Sequence, residues 1–320
     1  MFAVRRIFVA MVLGATSSLM MMSQGMAADA AAPLNKAKDA KVAKAPAAKA
    51  PAAESVPPVP KLTAAEIVQK HVAARGGAQA WRAVQTMQLS GKIDAGKGDN
   101  VARARKLVNA GKKASGKGTN AQIAAASGAN EPEKEIQLPF TLDVKRPNRT
   151  RLEVVFAGKT AVQVFDGQHG WKLRPFLNRN DVEPFTADEA KTEASRDDLD
   201  GPLIDYAAKG TKVEADGVEL VEGQPAYKLK LTPKSGAVKH VWIDAKTFLD
   251  VKMDGFPKHM DGKMHPVYVY QRDFRSVQGV MIPFVVETAI DGYAETHKLL
   301  VEKAAINPQF DDSLFAKPHA

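Results

Sequence analysis

Apolar and polar residues alternate between positions 140 and 171. Phe140, Leu142 and Val144 are separated by single polar residues, and this period of two predicts a strand with one apolar face. Arg146-Pro147 ends the first run, because proline fixes φ and donates no hydrogen bond to a neighbouring strand. Further alternating sets follow, separated by short turns that contain glycine. The pattern predicts roughly three or four antiparallel strands joined as a meander.

The parity of these sets defines one apolar face, which we expect to line a ligand cavity. This face takes one position from an earlier strand and the rest from the meander: Leu89, Phe140, Leu142, Val144, Leu152, Val154, Phe156, Val162, Val164 and Trp171. Arg146 has the parity of Phe140, so it is predicted to lie at the rim of the face. The alternative is that Arg146 leaves the strand and extends its charged end into water.

Short apolar segments separated by turn residues continue to about residue 301. Two capping boxes, Thr63 with Glu66 and Thr186 with Glu189, predict helix starts. A further short helix is predicted from Leu203 to Ala208. No strand is followed by a long crossover helix, so the strands are predicted to be antiparallel. The pattern indicates about eleven strands and roughly three or four helical pieces.

A sheet of this size has more apolar surface than so few helices can cover as an ordinary core. We therefore predict a mainly β, α+β fold in which the antiparallel sheet curls into a half-barrel. The helices would lie across its open side. Such a shape encloses an apolar cavity, which is the usual place for a lipid-like ligand.

The segments outside this sheet have distinct compositions. Residues 1–27 resemble a signal peptide, with Arg5-Arg6 before an apolar run and small residues before the cleavage site. Residues 28–61 are rich in Ala, Lys and Pro and are predicted to be a disordered tether. Residues 62–320 would form the domain, with a disordered insertion at 95–131, which is too long and too polar for a hairpin loop.

The positive charge of the chain lies mainly in two of these segments. The formal net charge is +9. Residues 31–61 hold six lysines against two acidic residues, and residues 95–130 hold seven basic residues against one acidic residue. These segments lack the aromatic residues that stack on bases, so we expect no nucleic-acid partner. The chain has no cysteine, which excludes disulfides and thiolate chemistry.

The sequence contains none of the catalytic or phosphate-binding motifs that we sought, so no catalytic residue, cofactor or metal site is predicted. The acidic cluster of Asp197, Asp198 and Asp200 lacks the spacing of a calcium loop, and a helix N-terminus explains it more simply. One cluster stays open: His259-Met260 with Met264-His265. Imidazole and thioether groups suit Cu(I), whereas the segment also reads as an ordinary hairpin loop.

Four stretches resemble the LolA-like family of periplasmic lipoprotein carriers, with its LolB and RseB-type relatives. They are VKRPNRTRLEVVF…VFDGQHGW, LTPKSGAVKHVWIDAKTFLDVKMDG, the closing FDDSLFAKP and the opening EIVQKHVAARGGAQAWRAVQTMQLSGK. The last of these looks like proteins described as outer-membrane lipoprotein-sorting proteins. The resemblance covers most of residues 62–317. It implies an incomplete antiparallel barrel, a helical lid and a cavity for acyl chains. In that family the arginine of the Arg-Pro pair links strand and lid, and Arg146 matches it.

These features together predict a non-enzymatic, monomeric periplasmic carrier or chaperone. Its ligand would be a lipid or the acyl chains of a lipoprotein, and its partners would be inner- or outer-membrane proteins. One alternative is an RseB-like sensor domain that binds lipid or lipoprotein and regulates a membrane-anchored partner. A second alternative is an envelope enzyme, which would need a group of catalytic polar residues in the cavity.

Overall fold

The computed structural model describes residues 57–94, 137–156, 158–175, 180–294 and 296–319. The predicted signal peptide, most of the predicted tether and the predicted insertion lie outside these ranges. The end of the predicted tether contacts the domain: Val59 packs on a hydrophobic cluster, and the Tyr227 hydroxyl donates to the Pro60 carbonyl (2.8 Å). The packed part of the chain therefore begins a few residues before Leu62.

Three α-helices and one 3₁₀ helix occur in the described residues. They are α1 (Ala64–Ala74), α2 (Ala78–Ala83), α3 (Ala187–Ala194) and the 3₁₀ helix Asp312–Phe315. Both predicted capping boxes are confirmed. The Thr63 N–H donates to Glu66 Oε2 at 2.8 Å, and the Thr186 N–H donates to Glu189 Oε2 at 2.7 Å. Each helix start thus uses a side chain to bind a backbone donor that the helix leaves unpaired.

The helix predicted from Leu203 to Ala208 is wrong, since the described chain makes turns there. Asp205 has a φ of +54°, a left-handed conformation that a right-handed helix does not contain. The acidic cluster at 197–200 was assigned to the N-terminus of a helix, and that assignment is also wrong. The cluster follows the C-terminal end of α3.

Fifteen strands are present in the described residues. They are β1 (Thr86–Asp94), β2 (Gln137–Lys145), β3 (Arg149–Phe156), β4 (Lys159–Phe165), β5 (Gly170–Leu173), β6 (Val182–Pro184), β7 (Lys212–Val221), β8 (Gln224–Thr232), β9 (Lys239–Asp244), β10 (Asp250–Asp254), β11 (Lys258–Met260), β12 (Lys263–His265), β13 (Val267–Val277), β14 (Val280–Ile290) and β15 (Thr296–Ile306). The sequence predicted about eleven, because three-residue strands such as β6, β11 and β12 are too short to show a clear alternation.

Thirteen strands form one sheet, in the order β6-β5-β4-β3-β2-β1-β15-β14-β13-β10-β9-β8-β7, and β11 pairs with β12 in a separate hairpin. Every pairing is antiparallel. β6 and β7 are the two edges, so the sheet is not closed into a barrel. The predicted mainly β fold, a curled antiparallel half-barrel with few helices, is confirmed.

β1 and β15, the first and last strands of the sheet in sequence order, are paired neighbours at its centre. Met87 of β1 pairs with Ile306 of β15, and the register shifts between Ser90 and Gly91. A Cβ atom at Gly91 would lie 2.0 Å from the Leu300 carbonyl oxygen, so only glycine fits at this close approach. This seam joins the meander β1–β6 to the strands β7–β15.

The face of the sheet that carries α1 and α2 is called the inner face here, and the opposite face the outer face. Two hydrophobic clusters lie on the inner face. The central cluster joins strands on both sides of the seam to Trp81 of α2, and a second cluster packs β8 and β9 under Ile67 and Val68 of α1. The core therefore lies mainly between the sheet and its two N-terminal helices.

Candidate functional site

A cavity of about 180 Å³ lies on the inner face of the sheet. Its apolar floor comes from alternate positions of strands near the seam, which point to the same face because side chains in a strand alternate. These residues are Met87, Leu89, Met253, Val269, Ile282 and Val286. Leu89 is the single predicted ligand-binding residue that lines this cavity. The floor depends on strands from both halves of the chain.

One end of the cavity is polar. Arg75, at the C-terminal end of α1, forms a buried ion pair with Asp250 of β10, with Nη1 and Oδ1 3.1 Å apart. The guanidinium carbon lies 4.6 Å from the centre of the Trp81 ring. The Trp81 indole N–H donates to the Arg75 carbonyl (2.8 Å). Arg75, Asp250 and Trp81 all line the cavity, so this group forms one of its walls.

Glycine sets the position of Arg75 by ending α1. Gly76 has a φ of +102°, and a Cβ atom there would lie 2.1 Å from the Gly279 carbonyl oxygen. The Met281 N–H also donates to the Arg75 carbonyl (3.0 Å). The end of α1 is thus packed tightly on the turn between β13 and β14, which holds the arginine over the cavity floor.

His71 lies beside this ion pair and is buried. Its Nδ1 is 3.0 Å from the Phe248 carbonyl oxygen. Burial lowers the pKa of His71, while the negative charge of Asp250 acts in the opposite direction. Because burial is the larger effect, the imidazole is neutral near pH 7 and serves to pack α1 on the sheet.

Residues 195–202, which we call the mouth segment, contribute a further wall of the cavity. It follows α3 and brings Arg196, Asp197, Asp198 and Leu199 to the cavity. Lys239 of β9 pairs with Asp197, with Nζ and Oδ2 3.3 Å apart. The mouth segment is therefore held over the floor by charged contacts as well as by packing.

Arg146 contacts two carboxylates of the mouth segment. Its guanidinium bonds Asp198 through Nη1 and lies 3.2 Å from Asp200 through Nη2. Its Nε donates to the Val84 carbonyl (2.8 Å), and its Nη2 lies 3.4 Å from the Trp81 carbonyl oxygen. With 18% of its side chain exposed, Arg146 does not extend into water. It connects the end of β2, the end of α2 and the mouth segment.

Two further contacts surround this connection. Arg82 of α2 binds the Asp205 carboxylate through Nε (2.8 Å) and Nη2 (2.5 Å). The hydrogen bond from Arg82 lowers the pKa of Asp205. The Asn148 side-chain amide donates to the Glu193 carbonyl (3.2 Å) at the end of α3. The chain on both sides of the mouth segment is therefore tied to other elements.

The sequence predicted that ten apolar residues share one face of the sheet. The strand register instead divides them between the inner and the outer face. Seven share the inner face: Leu89, Phe140, Leu142, Val144, Leu152, Val154 and Phe156. Of these, Phe140, Leu142, Leu152 and Val154 are buried in the central cluster behind the cavity floor, and Leu89, Val144 and Phe156 pack against that cluster. That these residues contact a ligand stays a prediction.

The predicted placement of Val162, Val164 and Trp171 on the same face is wrong. Val162 pairs with Glu153, Val164 pairs with Arg151, and Trp171 pairs with Val164, so all three lie on the outer face. In the β3–β4 hairpin the inward-facing Val154 is opposite Ala161, so the inward positions of β4 are the odd-numbered residues and not the even-numbered residues that were predicted. A shift of one residue moves every side chain of a strand to the other face.

The C-terminal segment explains why the outer positions are apolar. Phe310, Leu314 and Phe315 pack on Val162 and Val164, and Phe315 is 1% exposed. Buried apolar side chains therefore lie on both faces of the meander, and alternation alone does not distinguish the inner face from the face that this segment covers.

The sequence reasoning missed Arg75, Asp250 and Gln271 as cavity residues. Arg75 and Asp250 lie on different elements and meet only in the folded chain. Gln271 lies at an inward position of β13, opposite Val286. A polar residue at an inward position of an otherwise apolar strand is the signal that could have identified Gln271. Val267, Val269 and Gln271 are alternate residues of one strand, so the alternation pattern predicts that they point to the same face.

The structure divides the His/Met cluster between the two faces of the β11–β12 hairpin. His259 is opposite Met264, whereas His265 is opposite Lys258 and Met260 is opposite Lys263. Side chains of opposed residues point to the same face, so His259 and His265 lie on different faces of the β11–β12 hairpin. Among the described residues, no group of three or more His, Asp or Glu side chains could hold a metal ion.

The open antiparallel sheet, with α1 and α2 on one face, agrees with the incomplete antiparallel barrel that the sequence resemblance implies. The chain is similar to a LolA superfamily protein from Nitrosomonas europaea, with 12% identity and a TM-score of 0.47 over 80% of this chain and 99% of that one. It is also similar to an outer membrane lipoprotein-sorting protein domain from Vibrio parahaemolyticus, with 11% identity and a TM-score of 0.45 over 79% and 95% of the two chains.

A third similar structure is a DUF1329 family protein from Desulfovibrio piger, with 12% identity and a TM-score of 0.45 over 79% of this chain and 97% of that one. No family model and no curated protein matches the chain. At this level of identity and superposition, the similar structures establish no function. In the described ranges, no helix combines the length and the apolar character that crossing a membrane requires.

Proposed function

We propose that the protein is an exported, non-enzymatic carrier or chaperone that binds a lipid, or the acyl chains of a lipoprotein, in the inner-face cavity. The mature chain would begin near Ala28 and act in the periplasm as a monomer, together with inner- or outer-membrane partner proteins. The observation that carries this proposal is an apolar floor closed by a mouth segment that charged contacts hold in place.

The size of the cavity supports a closed arrangement of the mouth segment. Sites for small molecules usually measure roughly 300–1,000 Å³, and this cavity measures about 180 Å³. A long acyl chain would therefore enter only when the mouth segment moves. Each buried methylene group contributes about 0.8 kcal/mol, so a chain of ordinary length offsets the loss of several exposed ionic contacts.

The charges around the cavity support binding rather than catalysis. Its carboxylates have ionic or hydrogen-bonding partners: Asp250 with Arg75, Asp198 with Arg146, Asp197 with Lys239, and Asp254 with His240 Nδ1 at 2.7 Å. A general acid or base needs a group that is free to exchange a proton with a substrate. Paired carboxylates serve instead to hold the elements around the cavity.

Arg146 would control the opening of the cavity. Its guanidinium binds the mouth segment on one side and the end of α2 on the other. Opening requires the exchange of these charge-assisted hydrogen bonds for contacts with water. The proposed role agrees with what the LolA-like resemblance implies for this arginine.

Mass spectrometry of organic extracts from the purified, exported protein tests this proposal. We expect acyl lipids in amounts comparable to the protein, and extracts without bound lipid would contradict the carrier function. N-terminal sequencing tests export, since a retained Met1 in a membrane fraction would contradict it. A stable complex with a membrane-anchored regulator would favour the sensor alternative instead.

A further inference from the structure

Two buried polar side chains, Arg75 and Gln271, line the cavity. Each has at least one N–H donor without a strong hydrogen-bond acceptor. Arg75 is 6% exposed, and its Nε–H is buried with no hydrogen-bond partner among the described residues. Gln271 is 7% exposed, and within the described residues its amide nitrogen contacts only the Met253 sulfur, at 3.9 Å. A thioether is a weak acceptor. Both side chains therefore have donor capacity that the fold leaves unused.

Such groups are uncommon, because buried donors nearly always find partners. The contacts of Arg75 are consistent with an unused donor. Asp250 takes one terminal nitrogen of the guanidinium, and the Trp81 ring lies against its plane. The guanidinium has five N–H donors in a fixed planar arrangement, and neither contact uses its Nε edge. An acceptor atom from a ligand would satisfy this donor.

The local charge balance indicates which kind of acceptor fits. Asp250 neutralises Arg75, Asp197 pairs with Lys239, and Glu193 pairs with Arg196 at 2.5 Å. The polar end of the cavity thus offers hydrogen-bond donors without an excess positive charge. Burying an ionised carboxylate or phosphate requires a compensating charge. A neutral carbonyl oxygen requires only a donor.

We propose that Arg75 and Gln271 form a subsite for the carbonyl oxygen of an acyl ester or amide, with the attached hydrocarbon chain on the floor formed by Met87, Ile282 and Val286. The inference rests on the proposed carrier function and adds the chemical class of the ligand. The protein would select neutral acylated molecules over ionised fatty acids and over chains that lack a carbonyl group.

Competition against the neutral dye Nile red tests the subsite with three twelve-carbon probes: methyl dodecanoate, 1-methoxydodecane and sodium dodecanoate at pH 8. The first two probes are similar in size and differ mainly in the carbonyl group. We expect the full-length mature protein to bind the ester about tenfold more tightly than the ether, as one added hydrogen bond would give. The ester should also bind more tightly than the carboxylate.

The variants are chosen to keep the fold. Gln271→Met keeps the side-chain length and removes the amide, and Arg75→Lys keeps a positive charge for Asp250 but removes the Nε–H and the planar donor set. Each should reduce the preference for the ester over the ether to about threefold or less. The control Gln224→Met makes the same chemical change at an exposed position of β8 and should keep the full preference.

Equal binding of ester and ether by the unmodified protein would overturn the subsite while leaving the carrier function intact. Tighter binding of dodecanoate than of the ester would show that the site takes an ionised group, which also overturns it. If none of the three probes displaces the dye, the carrier function itself fails. Gln271→Met and Arg75→Lys variants that both retain the preference would remove these residues from the site.

Discussion

The inner face of β3 and the outer face of β4 both carry buried apolar side chains, but different parts of the chain cover them. Leu152 and Val154 point inward to the central cluster behind the cavity. Val162 and Val164 point outward and are covered by the C-terminal segment around Phe315. The comparison teaches that burial alone does not identify a ligand-binding face. The covering elements of the two faces differ: one face has a mouth segment held by ion pairs, and the other has a packed C-terminal segment.

The largest expected effect comes from placing a charge on the inner face. Val154 is 1% exposed, whereas its neighbour Val155 is 39% exposed on the same strand. Val154→Asp should lower the free energy of unfolding by about 4 kcal/mol, because it buries a charge without a partner. Val155→Asp should cost within about 0.5 kcal/mol. Urea unfolding of both variants measures the difference, and similar losses would contradict the assignment of the two faces.

Removing the covering of the outer face should weaken the fold without affecting binding. Phe315→Ala leaves a cavity over Val162 and Val164, and truncations of this kind cost about 3 kcal/mol or somewhat more. Dye binding at the inner-face cavity should be unchanged at a temperature where the variant is folded. A large loss of dye affinity in the folded variant would show that the outer cluster belongs to the ligand site.

Arg146 and Arg149 are close in sequence but bind different segments. One segment lies on the inner face of the sheet and the other on the outer face. Arg146 binds Asp198 in the mouth segment, and Arg149 binds Asp312 in the C-terminal segment at 3.0 Å. Arg146→Leu should fold but release a bound acyl probe about tenfold faster, a change equivalent to about 1.4 kcal/mol. Arg149→Leu should leave release unchanged. Stopped-flow measurement of dye release tests this, and equal rates in all three proteins would refute the role of Arg146.

The smallest effect is a pH dependence on the inner face. Burial lowers the pKa of His71, so its contribution to stability is present above the unfolded pKa of about 6.5 and is lost as pH falls below it. The slope is at most about 1.4 kcal/mol per pH unit for one histidine. His297, whose pKa burial also lowers, contributes in the same direction.

Thermal unfolding between pH 7 and pH 5 measures this slope. His71→Gln should reduce the slope, because the variant has no imidazole to protonate at that position. His259→Gln, at an exposed position of the β11–β12 hairpin, should leave it unchanged. If His71→Gln and the unmodified protein lose stability equally, His71 is not responsible for the pH dependence.

Local patterns predicted the antiparallel sheet, both capping boxes and the inner-face positions of β1–β3. Each of these features depends on residues that are close in sequence. The parity of β4 and β5 was wrong, because the expected set was one residue out of phase with the hairpin after Phe156. The partners of Arg146 were not predicted either. Its carboxylate contacts, Asp198 and Asp200, follow it by about fifty residues, and only the folded sheet brings them together.

Arg75 and Gln271 show a second limit of sequence reasoning. Each looks ordinary in its own segment: an arginine at the end of a helix, where it suits the helix dipole, and a glutamine in a strand. The unused donors become visible only when Asp250, Trp81 and Met253 are placed around them. Whether a donor lacks an acceptor depends on three-dimensional packing, and the alternation of residues along the chain does not predict it.

The seam between β1 and β15 determines when the cavity can exist. Leu89 is part of the floor and pairs with Ala304, so the floor is complete only after the last strand has joined the first. Pairings between distant parts of a chain form late, because closing a long loop costs entropy before any contact offsets it. A chain that is still being synthesised, or is still crossing a membrane, therefore has no finished floor. Under the proposed function, ligand loading would be confined to the completed molecule.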